Sequence, residues 1–262
     1  HGCDQMFLTI HVDDCMAAST SSEMLRTFEE NIKKHFIMKD SGKLHNYIGI
    51  QIEQDTDGFY LLHQKNYIQK KLKEFNLSDC KPSSIPLDTG YQKQQNNSEA
   101  MSNKDIYRKA IGSLLYLVTN TRPDIAVSTS ILARKVENPT QADWTEVKRT
   151  FRYLSSTKER KLKLGSLSEG NNKKLIGFAD ADWAGDTSDR KSNTGFVFKY
   201  LGSPITWSSR KHTLVTLSST EAEFVALSEA IKEGVWFKRL LNDFEQNITD
   251  PIVMFEDNKS CI

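Results

Sequence analysis

Three short strands, a long helix and a final strand follow one another in the last third of this chain of 262 residues. The predicted elements are Leu175 to Asp182, Phe196 to Tyr200, Ile205 to Ser208, a helix from about Ser219 to Asp243, and Ile252 to Phe255. A helix between strands lets the last strand lie parallel to the first after a crossover. The carboxyl ends of such strands meet at one sheet edge, where ligands bind. The order predicts an α/β (α+β) fold with a mixed sheet.

Acidic residues stand at that edge. Asp180 ends the first strand and Asp257 follows the last, while the helix between them offers Glu221 and Glu223. The predicted buried stripe of the helix is Phe224, Ala230, Ile231, Val235 and Leu241. Glu221 lies one turn before Phe224 and is predicted to share its face, whereas Glu223, about 200° further round, is predicted to face solvent.

Asp180, Glu221 and Asp257 together predict a magnesium site, because converging carboxylates are typical ligands of that ion. An alternative stays open for Glu221, since Ser218 and Glu221 have the spacing of a capping box. Asp182 shares the strand parity of Asp180, but Ala184 to Asp186 indicates a strand that is already turning away.

Two adjacent carboxylates, Asp13 and Asp14, follow the β-prone run Leu8 to Val12 near the start of the chain. Carboxylates this close repel each other, and a cation between them keeps both ionised. Magnesium held in this way is central to two-metal phosphoryl transfer. The alternative is an Asp-rich turn of a hairpin, because Asp is a common turn residue.

Composition excludes some classes. The formal net charge of +1 gives no general attraction to nucleic acid or membranes, and no apolar run has membrane-spanning length. Four scattered cysteines, at positions 3, 15, 80 and 261, indicate reduced intracellular thiols, and no signal peptide is present. The chain lacks an initiator Met and stops within predicted structure, which indicates a fragment of a longer protein.

The composition changes along the chain and predicts three regions. Residues 1–80 are predicted to form strands and two helices. The region 81–161 begins with a partly mobile polar connector at 81–104, which includes a polar run from Gln92 to Ser98, and continues with helices. The region 162–262 is predicted to form the mixed sheet. On the helix that Thr140 and Asp143 begin, the basic residues Lys148, Arg149 and Arg152 stand beside Tyr153. Such a pattern suits a nucleic-acid backbone, and a solvated helix face is the alternative.

Several long motifs occur in a fixed order over nearly the whole chain. They are Val12-Asp13-Asp14, Phe36 to Asp40 with Tyr47 to Ile50, Ile111 to Leu117, Thr121 to Ile125, Ala179 to Gly185, Ser218 to Phe224 and Asp257 to Ser260. In this order they resemble the Pol polyprotein of copia-type LTR retrotransposons, from late in the reverse transcriptase into the RNase H domain. His11 stands where that family usually has Tyr.

The resemblance implies a reverse transcriptase palm and thumb remnant in 1–80, a helical connection in 81–161 and a truncated RNase H-like domain in 162–262. It implies RNA-directed DNA polymerase and RNA–DNA hybrid endonuclease chemistry with Mg²⁺, or alternatively Mn²⁺, at Asp13 and Asp14 and at Asp180, Glu221 and Asp257. The implied partners are an RNA template, a DNA primer, RNA–DNA hybrid, deoxynucleoside triphosphates and the rest of a Pol polyprotein that also serves DNA integration. No membrane is implied.

The resemblance implies that the protein lies in a cytoplasmic virus-like particle, with the nucleus as an alternative. It does not imply secretion. Each implied active site lacks carboxylates that the family places outside this sequence, so the isolated chain is expected to be inactive or weakly active. Two rival hypotheses stay open. One is a non-enzymatic domesticated or decayed relic that binds nucleic acid or protein, and the other is a host hydrolase of the RNase H superfamily.

Overall fold

The computed structural model describes residues 4–91, 98–165 and 175–262, so most of the predicted polar run from Gln92 to Ser98 lies outside the described residues. The fold is mixed α/β. The chain forms two compact units, His1–Glu53 and Gln54–Ile262, which are described separately below. The three regions that the sequence indicates as domains stay a prediction. Within the described ranges, no helix combines the length and apolar character needed to cross a membrane.

The first unit begins with a β-hairpin. Strands β1 (Met6–His11) and β2 (Asp14–Ser19) pair antiparallel, with His11 opposite Asp14. Helix α1 (Ser22–His35) follows, and its N-cap is Ser21, whose hydroxyl accepts the N–H of Met24 at 3.3 Å. Strands β3 (Asn46–Tyr47) and β4 (Ile50–Gln54) pair antiparallel. Every described residue from 4 to 53 keeps part of its surface exposed.

Helices form the first part of the second unit, after strand β5 (Tyr60–His63). They are α2 (Lys65–Glu74), α3 (Lys104–Asn120), α4 (Ala126–Ala133) and α5 (Gln141–Ser156), with one turn of 3-10 helix at Pro123–Ile125. The capping box of Thr140 and Asp143 is present at the start of α5. Buried apolar residues of these helices form one core, including Ile111, Leu114 and Phe151.

The described part of the polar connector is packed against α5. Thr150 donates a hydrogen bond to the carbonyl of Pro86 at 2.8 Å, and the N–H of Ser83 donates to the carbonyl of Arg152 at 3.4 Å. The hydroxyl of Tyr91, which is buried, donates to Asp143 at 2.5 Å. Residues 81–91 of the connector are therefore held against α5 by polar contacts, and the partial mobility expected of the connector 81–104 stays a prediction.

The turn between α3 and α4 is closed by a buried ion pair. Arg122 is 2% exposed and donates two hydrogen bonds to the carboxylate of Asp124, at 2.9 and 2.8 Å. It also donates to the carbonyl and the hydroxyl of Thr157, which caps the end of α5. The Thr121 to Asp124 motif thus joins this turn to the C-terminal end of α5.

A four-stranded mixed sheet and one long helix complete the second unit. Strands β7 (Leu175–Asp182), β8 (Asn193–Tyr200) and β9 (Ser203–Lys211) are antiparallel neighbours, and β10 (Val253–Phe255) pairs parallel with β7. Helix α6 (Ser219–Asp243) connects β9 to β10. The predicted parallel pairing of the first and last strands is confirmed. Strand β6 (Leu162–Leu164) instead pairs antiparallel with β5.

The buried face of α6 differs from the predicted one. Phe224, Ile231 and Val235 are exposed, and Phe224 retains 63% of its accessible surface. The buried residues are Ala222, Glu223, Ala226, Ala230, Gly234, Phe237 and Leu241. Small side chains on this face allow the helix to pack closely, and at Gly234 the Phe198 ring on β8 leaves no room for a methyl group. Close packing there outweighs the hydrophobicity of the individual residues.

Gly234 gives a direct test of this packing. A methyl group there would lie 2.9 Å from two carbons of the Phe198 ring, whereas one at Gly112 in α3 would meet nothing within 4 Å. We expect Gly234→Ala to lower the free energy of unfolding by about 1–3 kcal/mol through overpacking. Gly112→Ala, the same change in an open helix position, is expected to be neutral or stabilising by up to about 1 kcal/mol. Urea unfolding of both variants measures the difference, and equal effects would contradict the packing argument.

Candidate metal centre

Three carboxylates from three elements meet at the sheet edge. Asp180 lies near the end of β7, Asp257 follows β10, and Glu223 lies in the second turn of α6. One ligand oxygen from each residue lies within 4.8 Å of the corresponding oxygens of the other two. The parallel pairing of β10 with β7 brings the two aspartates to the same edge, and the start of α6 adds the glutamate. The structure therefore brings together two of the three acids that the sequence suggested.

Glu221 is not among them, which corrects the prediction of Glu221 as a metal ligand and of Glu223 as solvent-facing. The Glu221 carboxylate is exposed and accepts a hydrogen bond from the N–H of Leu217 at 2.6 Å. The N–H of Glu221 donates to the Ser218 hydroxyl at 3.1 Å. Glu221 thus lies at the start of α6, as the capping alternative held, although its carboxylate accepts from Leu217 and not from Ser218, so the reciprocal half of the capping box is not formed. The error came from assigning Phe224 to the buried face, which rotates the helix phase.

Glu223 lies in a strongly acidic and mostly buried environment. It is 6% exposed, the N–H of Ala181 donates to its carboxylate, and its Oε2 has no hydrogen-bond partner in the described part of the chain. Burial, followed by the negative charges of Glu256 and Asp180, raises the pKa of Glu223 to about 7. An ionised Glu223 would thus be costly in the free protein, and a cation at the site would offset that cost.

The donor set fits a hard divalent cation. All three side chains offer carboxylate oxygens, which suit Mg²⁺ and Mn²⁺ rather than softer ions that prefer sulfur or imidazole. The unpartnered Oε2 of the buried Glu223 is the group that such an ion would satisfy. A spacing of small residues at Ala222, Ala226, Ala230 and Gly234 is the sequence signal that could have identified the buried face and, with it, Glu223.

The raised pKa of Glu223 predicts a pH dependence of stability. The folded chain holds the proton more tightly than the unfolded chain, in which the pKa is near 4.5. The free energy of unfolding contributed by Glu223 should therefore fall as the pH rises from about 4.5 to about 7. Urea unfolding in EDTA at pH 5 and pH 7.5 should show that Glu223→Gln loses less stability over this interval than the original chain. Saturating Mg²⁺ should reduce the difference, and identical pH profiles would contradict the assignment.

The aspartate pair of the first unit lies at the tip of the β1–β2 hairpin. Val12 has φ +54°, a left-handed conformation that is strained for a β-branched residue, and it begins the two-residue turn before Asp14. Asp13 and Asp14 are both exposed. Across the described ranges, no further His, Cys, Asp or Glu joins them in a group of three that could hold a metal ion. The predicted hairpin turn at Asp13 and Asp14 is confirmed. The role of these two aspartates in metal binding stays a prediction.

The basic residues of α5 mostly contact the chain itself. Arg149 forms ion pairs with Asp88 at 2.8 Å and with Glu146 at 3.0 Å. Arg152 donates to the carbonyl of Lys81 at 2.6 Å, and the Lys148 ammonium lies 6.0 Å from the Trp144 ring centroid. These contacts hold the connector on the helix, and nucleic-acid binding by Lys148, Arg149 and Arg152 remains a prediction.

Comparisons with known proteins agree with the order of the motifs. Residues 1–89 match the family described as reverse transcriptase (RNA-dependent DNA polymerase). Over 265 residues the chain is 35% identical to the retrovirus-related Pol polyprotein from transposon TNT 1-94 of Nicotiana tabacum, covering 98% of this chain and 20% of the relative. It is 32% identical over 254 residues to the retrovirus-related Pol polyprotein from transposon RE2 of Arabidopsis thaliana, covering 97% of this chain and 17% of that relative.

A shorter relative is matched along most of its length. The chain is 35% identical over 232 residues to an uncharacterized mitochondrial protein of Arabidopsis thaliana, covering 88% of this chain and 94% of that protein. No solved structure matches the chain significantly.

These observations define a reverse transcriptase-containing retroelement protein. The chain belongs to the Pol polyprotein family of copia-type LTR retrotransposons. It spans 17–20% of the length of the two Pol polyproteins described above.

Proposed function

We propose that Asp180, Glu223 and Asp257 bind divalent metal ions in an RNase H-like domain that hydrolyses the RNA strand of RNA–DNA hybrids. The observation that carries this proposal is the convergence of the three carboxylates within 4.8 Å, at the edge where β7 and β10 end in parallel. The buried and unpartnered oxygen of Glu223 supports a cation as the missing partner.

The chemistry of hydrolysis suits this arrangement. Magnesium bound by such carboxylates supplies an activated water and stabilises negative charge on the phosphodiester. Asp180, Glu223 and Asp257 would hold such an ion through one carboxylate oxygen each, and the burial of Glu223 keeps that carboxylate in place. An RNA–DNA hybrid would be held mainly by phosphate and 2′-hydroxyl contacts, with little reading of base sequence.

A second proposal concerns Asp13 and Asp14. In the parent polyprotein, this pair contributes to the metal site of RNA-directed DNA synthesis from an RNA template, a DNA primer and deoxynucleoside triphosphates. The match of residues 1–89 to the reverse transcriptase family and the hairpin that presents both aspartates support it. Because no third ligand joins them among the described residues, we expect negligible primer extension by this chain alone.

Manganese titration tests the proposed cluster directly. Mn²⁺ binding is followed by electron paramagnetic resonance in the chain carrying Asp13→Asn and Asp14→Asn, so that the hairpin does not contribute. We expect binding that Asp180→Asn removes, together with weak Mn²⁺-dependent cleavage of labelled RNA in a hybrid and none in single-stranded RNA. Absence of cation binding would contradict the proposal and favour the non-catalytic relic.

Primer extension on an RNA template tests the expectation that this chain alone is inactive as a polymerase. The chain with Asp13 and Asp14 intact is expected to extend a DNA primer negligibly in Mg²⁺. Robust synthesis by this exact chain would show that the hairpin pair needs no further carboxylate, which would contradict the expectation.

A further inference from the structure

A fourth carboxylate, Glu256, lies beside the proposed metal centre. It follows directly after β10, and its Oε1 accepts hydrogen bonds from the N–H groups of Asp257 and Asn258, both at 3.1 Å. These two bonds tie the turn that carries Asp257 to the end of the strand. Glu256 therefore fixes the backbone of one of the three proposed ligands.

The other oxygen of Glu256 has no hydrogen-bond partner among the residues that the structure describes. Its Oε2 is buried and accepts no hydrogen bond from any residue in the described ranges. The negative charge of Glu256 acts on the Glu223 carboxyl more strongly than that of Asp180 does, and Glu256 and Glu223 both act on Cys261. The charge of Glu256 thus acts on Glu223, although Glu256 is not one of the three residues whose ligand oxygens lie within 4.8 Å of one another. Glu223 is itself 6% exposed and also has an oxygen without a partner among the described residues.

A buried carboxylate oxygen without a partner destabilises the folded chain, and two close together do so more. No Lys or Arg side chain forms an ion pair with Glu256 or Glu223 among the described residues. A hard divalent cation is the class of ligand that would neutralise both carboxylates at once.

We propose that Glu256 is a positioning residue of the metal centre, which orients Asp257 through the backbone and strengthens cation binding with its unpaired charge. This inference rests on the proposed function of the Asp180, Glu223 and Asp257 cluster. The two parts of the role are separable, because a glutamine at 256 can still accept both N–H bonds through its amide oxygen but carries no charge.

Three variants in the Asp13→Asn and Asp14→Asn background separate these parts. Glu256→Gln is expected to weaken Mn²⁺ binding about tenfold, and Glu256→Ala further, because it also frees the turn of Asp257. Asp250→Asn is the matched control, since it removes one negative charge from an exposed position just before the same strand. Its Mn²⁺ affinity should stay within about twofold of the parent chain.

Urea unfolding in EDTA adds a readout that a purely structural role would not give. Glu256→Gln should be more stable than the parent chain without metal, because the repulsion with Glu223 is gone, and should lose that advantage at saturating Mn²⁺. Equal Mn²⁺ affinity of Glu256→Gln and Asp250→Asn, with binding still lost in Asp180→Asn, would overturn the inference and leave the metal centre intact. Absence of Mn²⁺ binding by the parent chain would overturn both.

Discussion

Replacing Glu223 with Gln is expected to weaken Mn²⁺ binding at least about 100-fold, whereas the same replacement at Glu221 should leave the affinity within about twofold. Glu223 is buried and shares the cluster with Asp180 and Asp257, while Glu221 is exposed and accepts the N–H of Leu217. The two positions are two residues apart and carry the same side chain, so each serves as the control for the other.

The two variants should also differ in stability without metal. Glu223→Gln removes a buried carboxyl next to other acids and should raise the free energy of unfolding in EDTA at pH 7.5. Glu221→Gln keeps an oxygen that can accept the N–H of Leu217 and should change it by less than about 0.5 kcal/mol. Electron paramagnetic resonance titration with Mn²⁺ and urea unfolding measure both effects. Stronger loss of Mn²⁺ binding at Glu221 than at Glu223 would restore the assignment that the sequence pattern favoured.

The second large effect is expected at Arg122, where replacement by Ala should lower the free energy of unfolding by about 3–5 kcal/mol. Its guanidinium is buried and contacts both oxygens of Asp124 and two oxygens of Thr157. Removing it leaves the Asp124 carboxylate without its main partner. Arg122→Lys keeps the charge but not the paired geometry, and an intermediate loss is expected.

Arg160 supplies the matched control for Arg122. Its side chain is 59% exposed and contacts the same carboxylate at 3.3 Å. Arg160→Ala should therefore change the free energy of unfolding by less than about 1 kcal/mol, because solvent screens an exposed ion pair. Urea unfolding of the full chain compares the three variants. A loss at Arg160 as large as that at Arg122 would contradict the buried-network interpretation.

Local patterns in the sequence were sufficient for much of the fold. The capping box of Thr140, the hairpin around Asp13 and the strand–helix–strand order after residue 175 each depend on residues close in sequence, whose turn chemistry and periodicity have direct physical meaning. The parallel pairing of β10 with β7 followed from that order and a crossover helix.

Contacts between distant residues could not be obtained in this way. Arg149 and Arg152 resemble a nucleic-acid surface on a helix viewed alone, but in the folded chain they contact Asp88 and Lys81, about 60 to 70 positions earlier. The polar composition of the connector predicted partial mobility, and only the folded structure shows which of its groups, at Ser83 and Pro86, form hydrogen bonds with α5.

The sequence by itself determined the family, the order of the elements and the two aspartates that meet at the edge of the mixed sheet. Only the tertiary structure decided which glutamate of α6 joins them. The helix buries the face that carries Ala222, Ala226, Ala230 and Gly234, where a methyl group at Gly234 would lie 2.9 Å from the Phe198 ring, and Glu223 lies beside that face. Close packing between distant residues, rather than hydrophobic periodicity, sets the rotation of that helix.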